Sequence, residues 1–315
     1  MNTKNITIVI LALILIGAVG FMLSKSNDAT VMVVETPSGD GTDTSTVIED
    51  NSTTSDTEQI EETVKARGDK SVIGSSVDGN DITAYHFGSG DTELLFIGGI
   101  HGGYSWNTSL LAYELIDYLD TNPDAVPDDV TVTIIPVANP DGLDATVGTT
   151  GRFEESDALA VSDDIRTAGR FNANKVDLNR NFDCDWSATS KWQNETVSGG
   201  STAFSEPEAE AIKNYVETYK PTAAVVWFSA EGKVYPSACD TTPSKDSVEM
   251  AAAFATAAGY PADAKFDAYT INGDMVNWMA KKNIPAISVL LTNHKSTEWT
   301  KNLAGVKAVL AKYAE

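Results

Sequence analysis

GRFNANKVDLNRNFD (169–183) lies downstream of VANPDG (137–142), and neither segment identifies a site by itself. Asn-Arg-Asn can form a salt-bridged turn, and NPDG is a good turn sequence. Two further segments share this unusual composition. GGIHGGYSWNT (98–108) reads as a strand running into Gly-rich backbone with His101 at its tip. YTINGDMVNW (269–278) precedes the apolar run AISVLLT (286–292). The four segments in this order are far more specific than any one of them.

The surrounding pattern gives the fold class. ELLFIGGI (93–100), VTVTIIPVA (130–138), AAVVWFSA (223–230) and AISVLLT (286–292) are short, β-branched and apolar, which suits buried strands. Between them lie amphipathic segments with helix start signals. In Ser205-Glu206-Pro207-Glu208, a Ser N-cap is expected to lead into AEAIKNYVETY, with Lys220-Pro221 ending the helix. Further helices are expected near 107–120, 245–258, 273–282 and 298–313. Alternating strands and helices imply an α/β fold: a mixed, mostly parallel twisted sheet with helices on both faces. Ligands of such sheets bind at the carboxyl ends of the strands.

The N-terminus differs from the rest. Ile6 to Leu23 is an uncharged run of 18 residues, flanked by Lys4 and Lys25. At ~1.5 Å rise per residue it spans about 27 Å, close to the hydrocarbon thickness of a bilayer. A cleaved signal peptide usually has a shorter apolar core, so residues 1–25 are read as an uncleaved membrane anchor. Residues 26–68 are rich in Ser, Thr, Asp and Glu and poor in aromatics, which reads as a disordered acidic linker. As a flexible coil it would hold the domain at 69–315 roughly 35–40 Å from the anchor. This plan places the domain outside the cytoplasm. The net charge of -23 excludes nucleic acid as a partner, which needs a basic footprint. Cys184 and Cys239 are the only cysteines. In an exported protein they are expected to form one disulfide, two buried thiols being the alternative.

NPDG (139–142), VDLNRNFD (176–183), SEPEAEA (205–211) and Tyr-x-x-x-Gly-x-x-x-Asn-Trp (269–278) resemble, in their order, the zinc carboxypeptidase family, whose type enzyme is carboxypeptidase A. The resemblance covers about residues 69–315. It implies a zinc cofactor and peptide C-termini as partners. It also implies that Asn179 and Arg180 grip the terminal carboxylate, Arg supplying a bidentate fork. Tyr269 would close over the bound residue, and Arg170 would stabilise the oxyanion, with Arg166 and Arg152 as nearby alternatives. Val276 falls where the family sets side-chain preference and implies an apolar terminal residue.

The same resemblance exposes a broken zinc set. His101 matches the first His ligand. Tyr104 and Ser105 stand where the Glu ligand should be, and Ser105 is favoured because Trp106 follows it. Phe228 occupies the second His position, and Leu290 that of the general-base Glu. Zinc is therefore expected to be lost or weakly held, and hydrolysis to be lost or severely impaired. The alternatives are an active extracytoplasmic zinc carboxypeptidase acting on peptides or cell-wall stem peptides, or a displaced metal site built from His101, Glu231 and His294.

Overall fold

The computed structural model describes residues 68–240 and 242–314. The anchor expected at 1–25 and, but for Gly68, the linker expected at 26–68 lie outside the described residues. Among the described residues no helix is long and apolar enough to cross a membrane.

The chain order is β1 (Lys70–Ser75), β2 (Asp81–Gly88), β3 (Thr92–Ile97), α1 (Trp106–Thr121), β4 (Val130–Ile135), α2 (Pro140–Val147), α3 (Glu155–Leu159) and α4 (Asp163–Ala168). There follow β5 (Thr189–Trp192), β6 (Glu195–Ser198), α5 (Pro207–Tyr219), β7 (Ala223–Ser229), β8 (Lys233–Pro236), α6 (Lys245–Ala258), α7 (Met275–Lys281), β9 (Ala286–Leu291) and α8 (Trp299–Tyr313). The main sheet runs β1-β2-β4-β3-β7-β9-β8, and β5 and β6 form a separate hairpin. The central strands β4, β3, β7 and β9 are parallel, while β1, β2 and β8 pair antiparallel at the edges.

The parallel strands are buried on both faces, which explains their nearly continuous apolar sequences. Alternation sends Phe96, Val225, Trp227 and Val289 into a core against α1, α6 and α8. Leu95, Val226, Phe228 and Ala286 enter the opposite core, against α5 and α7. Both faces are therefore covered, as the sequence implies.

Two start signals resolve differently from expectation. The N-cap of α5 is Glu206, not Ser205, because Pro207 takes the first helical position. Ser205 instead donates to Glu206 Oε1 at 2.8 Å. NPDG begins a helix: the Asn139 side chain accepts from Gly142 N at 2.9 Å and caps α2, with Pro140 at its first position.

Candidate functional site

The carboxyl ends of β3, β7 and β9 open into a cavity of about 1150 Å³. His101, Arg170, Asn179, Arg180, Phe228, Tyr269 and Leu290 all line it, so the sheet gathers most of the residues singled out from sequence.

His101 is carried on the Gly-rich backbone that follows β3. Gly103 sits there against α2, where a Cβ would lie 1.7 Å from Thr146 Oγ1, so no larger residue fits without displacing the loop. The next turn enters α1, and Asn107 ties it to the other strand ends. Its amide donates to Asn293 O and Ser296 O at 2.8 and 2.9 Å, and it accepts from Ser229 Oγ at 2.9 Å. One buried side chain thus joins the end of β7 to the loop after β9, which carries His294.

Asp177 organises the charged floor. Its buried carboxylate accepts from Arg170 Nε and Nη2 at 2.9 and 2.7 Å and from His101 Nε2 at 3.3 Å. Burial alone would raise this carboxyl, but Arg170, Arg180 and His101 overcome it and hold it well below the usual carboxylate range. His101 is pushed down to about 4, first by burial and then by Arg170, so the imidazole is neutral at pH 7. Its Nε2–H faces Asp177, which leaves the lone pair on Nδ1. That Nδ1 is buried and has no hydrogen-bond partner among the described residues. Arg170 also stacks against Trp192, 4.4 Å from the ring centroid, with Tyr104 at 5.6 Å on the same guanidinium. Arg166 and Arg152, the alternatives to Arg170, are engaged elsewhere, with Asp163 and Asp117 respectively.

Arg180 is 1% exposed and stands in a short 3-10 turn, Leu178–Arg180, capped by Asp177. Its Nε and Nη2 donate to Lys191 O at 3.2 and 2.9 Å, and Nη1 donates to Asn179 O at 2.7 Å. A guanidinium has five N–H groups, so one remains on each Nη. Among the described residues no carboxylate lies within ion-pair distance of it. Tyr269 sits above, its ring centroid 5.9 Å away. Asn179 does not present a free amide: Nδ2 donates to Asp274 Oδ2 at 2.7 Å, and Oδ1 accepts from Met275 N at 3.1 Å. Gly273 makes this approach possible, since it adopts φ +69° and a Cβ there would lie 2.1 Å from Arg180 O.

Val276 does not reach the cavity. It is buried in the core beneath α7, while Asp274 and Asn277 on either side line the wall. Of the two residues considered for the Glu ligand, Tyr104 faces the cavity. Ser105 is the N-cap position of α1, buried, with its Oγ unpartnered among the described residues. Counting from Trp106 favours Ser105, but entry into the helix turns that residue inward. Asp177 and Trp192 are the residues of the site that sequence reasoning missed. Asp177 stood inside the quoted VDLNRNFD run, and an acid beside Asn-Arg was the available signal.

His101, neutral and with a free Nδ1, suits a zinc ligand whose second nitrogen is oriented by a carboxylate. The residues around it do not complete a set. Phe228 packs on the imidazole with 5.8 Å between ring centroids, and Leu290 pairs with Phe228 across β7 and β9. Glu231 accepts from the Tyr235 hydroxyl at 2.8 Å and pairs with Lys233, and His294 packs on Tyr104 at 4.4 Å. Among the described residues no group of three or more His, Cys, Asp or Glu could hold a metal ion.

Cys184 and Cys239 are joined in a disulfide, which fits an oxidising, extracytoplasmic compartment. It links the segment just after the Arg180 turn to the wall beyond β8.

The sequence model of the zinc carboxypeptidase family matches residues 54–308. The fold is similar to that of the murein-tripeptide amidase from Escherichia coli O157, at 18% identity and TM-score 0.55, covering 78% of this chain and 92% of that one. It is also similar to bovine thrombin-activatable fibrinolysis inhibitor in complex with tick carboxypeptidase inhibitor, at 18% identity and TM-score 0.62, covering 78% and 89%. Carboxypeptidase A from Helicoverpa armigera matches at 17% identity and TM-score 0.59, covering 77% and 68%. With the family model spanning most of its length, and the expected segments converging on one cavity, this chain belongs to the zinc carboxypeptidase family.

Proposed function

We propose that this chain binds the C-terminal carboxylates of peptides and has lost, or nearly lost, the ability to cleave them. The observation that carries this reading is Arg180, a buried cation on the cavity wall with two N–H groups unused and no ion-pair partner among the described residues. A buried charge left unpaired is costly, so a ligand carboxylate there gains a charge-assisted, bidentate contact. Tyr269 flanks the same point.

The positions needed for turnover argue the other way. Phe228 offers no lone pair to a metal, and Leu290 accepts no proton. Without a metal, water keeps a pKa of about 15.7 rather than about 7. Loss of a general base alone typically removes about 10²–10⁴ in rate. The test is direct: titrate the full-length chain with a free-acid peptide and with its C-terminal amide. Preference for the free acid, with no release of the terminal residue, supports the reading; equal binding or none overturns it.

A second reading is an active zinc carboxypeptidase, and the unpartnered Nδ1 of His101 favours it. Glu231 and His294, on the same cavity wall, would have to complete the metal site. Peptides or cell-wall stem peptides are its substrates, the latter in keeping with the murein-tripeptide amidase among the similar structures. Release of a terminal residue that a chelator abolishes would establish it.

A further inference from the structure

Three consecutive residues of β5 each hold a different part of the cavity. The Ser190 hydroxyl donates to Asn272 Oδ1, in the segment that carries Tyr269. Lys191 O is the acceptor for Nε and Nη2 of Arg180. Trp192 lays its ring against the Arg170 guanidinium and meets Tyr104 edge-on, with 5.0 Å between centroids. β5 pairs with β6 alone, and at the end of β6 the Ser198 carbonyl accepts from Asp177 N at 3.0 Å. This one hairpin therefore touches Arg180, Arg170 and Asp177 from outside the main sheet.

The Arg170 guanidinium needs such a support. Its Nε and Nη2 both donate to a single oxygen, Asp177 Oδ2. One acceptor atom is a pivot, about which the planar group is free to tilt. The face of Trp192 covers that plane and removes the freedom, a stacking contact that a guanidinium makes well. Among the described residues Nη1 makes no hydrogen bond, so its two N–H groups are left to the cavity that Arg170 and Trp192 line. Arg170 is already paired with Asp177, unlike Arg180, so it suits a neutral acceptor rather than a second anion. We infer that Trp192 is a positioning residue: it fixes Arg170 so that Nη1 takes a carbonyl oxygen of the ligand while Arg180 takes the carboxylate. This rests on the carboxylate reading of Arg180.

The experiment titrates the full-length chain with two tripeptide free acids that differ only in the last peptide unit, ketomethylene in one and ethylene in the other. Both carry the carboxylate, and only the first carries the carbonyl. The ketomethylene acid is expected to bind about 10-fold more tightly, the scale of a charge-assisted hydrogen bond. Trp192 belongs to neither core cluster, so its replacement is expected to leave the fold intact. In Trp192→Leu, which keeps apolar bulk without a ring face, the carbonyl preference should fall towards one. In Trp192→Phe most of it should remain. The preference of both variants for free acid over C-terminal amide, which reads Arg180, should stay as in wild type. Equal binding of the two acids by the wild-type chain overturns the inference and leaves the carboxylate reading intact. A Trp192→Leu protein that weakens both acids alike, keeping their ratio, also overturns it, since the ring would then act by bulk or by touching the ligand. No discrimination between free acid and amide in the wild-type chain overturns both readings. Trp192→Met, unbranched and without a ring, makes the same test if the leucine variant does not fold.

Discussion

The rings of His101 and Phe228 face one another with 5.8 Å between centroids, tilted by 53°. A metal ligated by His101 Nδ1 would need its other donors in this space, and Phe228 presents carbon there. Leu290, its partner across the sheet, does the same one strand away. The ends of β7 and β9 that line the cavity are apolar at Phe228 and Leu290, while the same cavity is lined by the guanidinium of Arg180.

Rebuilding the ligand set tests which residues face the cavity. Tyr104→Glu combined with Phe228→His should hold about one zinc per chain, since three protein ligands are what a catalytic site uses. Ser105→Glu combined with Phe228→His should hold almost none, because Ser105 points away from the cavity. Metal analysis after dialysis distinguishes the two pairs. The opposite result would restore Ser105 as the ligand position.

Acid should destabilise the fold through His101. Its value in the folded chain is about 4 against an ordinary 6.5, so the unfolded chain takes up the proton first. The contribution is complete above the ordinary value and is lost as pH falls towards 4. Between pH 7.5 and 5 this is worth about 2 kcal/mol. The depressed carboxyl of Asp177 adds a loss of the same sign at lower pH. Urea unfolding of wild type and His101→Asn in the presence of chelator checks this: the variant should show the shallower pH dependence over that window.

Arg180→Ala should weaken binding of free-acid peptides by about 10- to 100-fold, the range of a charged bidentate contact. It also leaves Lys191 O and Asn179 O without these donors, so stability should fall as well. The ratio of free-acid to amide affinity separates the two effects. That ratio should approach one in the variant, whereas a purely structural role for Arg180 would leave it unchanged.

The disulfide spans 55 residues of sequence. By loop-closure entropy, Cys184→Ser with Cys239→Ser should cost about 4 kcal/mol, visible as a lower urea midpoint. The bond joins the segment after Arg180 to the opposite wall, so peptide affinity should fall with it. An unchanged midpoint would mean that packing alone holds the two segments together.

The parts of this account legible in sequence are those that depend on local pattern. The four central strands, the four long helices α1, α5, α6 and α8 and the short α7 follow from apolar runs, periodicity and end signals, and their positions agree with the structure to within a few residues. The edge strands β1, β2 and β8 and the hairpin β5–β6 carry no such signal in the sequence. They are short or half-exposed, and no continuous apolar run marks them. The site was legible where a residue type implies its chemistry, as for Arg180 and His101. It was not legible where a side chain's direction decides. Ser105 and Tyr104 are adjacent, and only the phase of α1 sends one into the core and the other into the cavity. Val276 and Asp274 differ in the same way at the start of α7. Asp177 shows a further limit, because its burial depends on Arg170, seven residues away, and His101, seventy-six residues away.

The central claim is that the cavity is a carboxylate-binding site without the family's metal. Zinc content of the purified full-length chain, after zinc loading and exhaustive dialysis, tests it most directly. The account predicts close to zero zinc per chain and a melting temperature that chelator does not move. About one zinc per chain, retained through dialysis, would contradict it and make His101, Glu231 and His294 the ligands to mutate first.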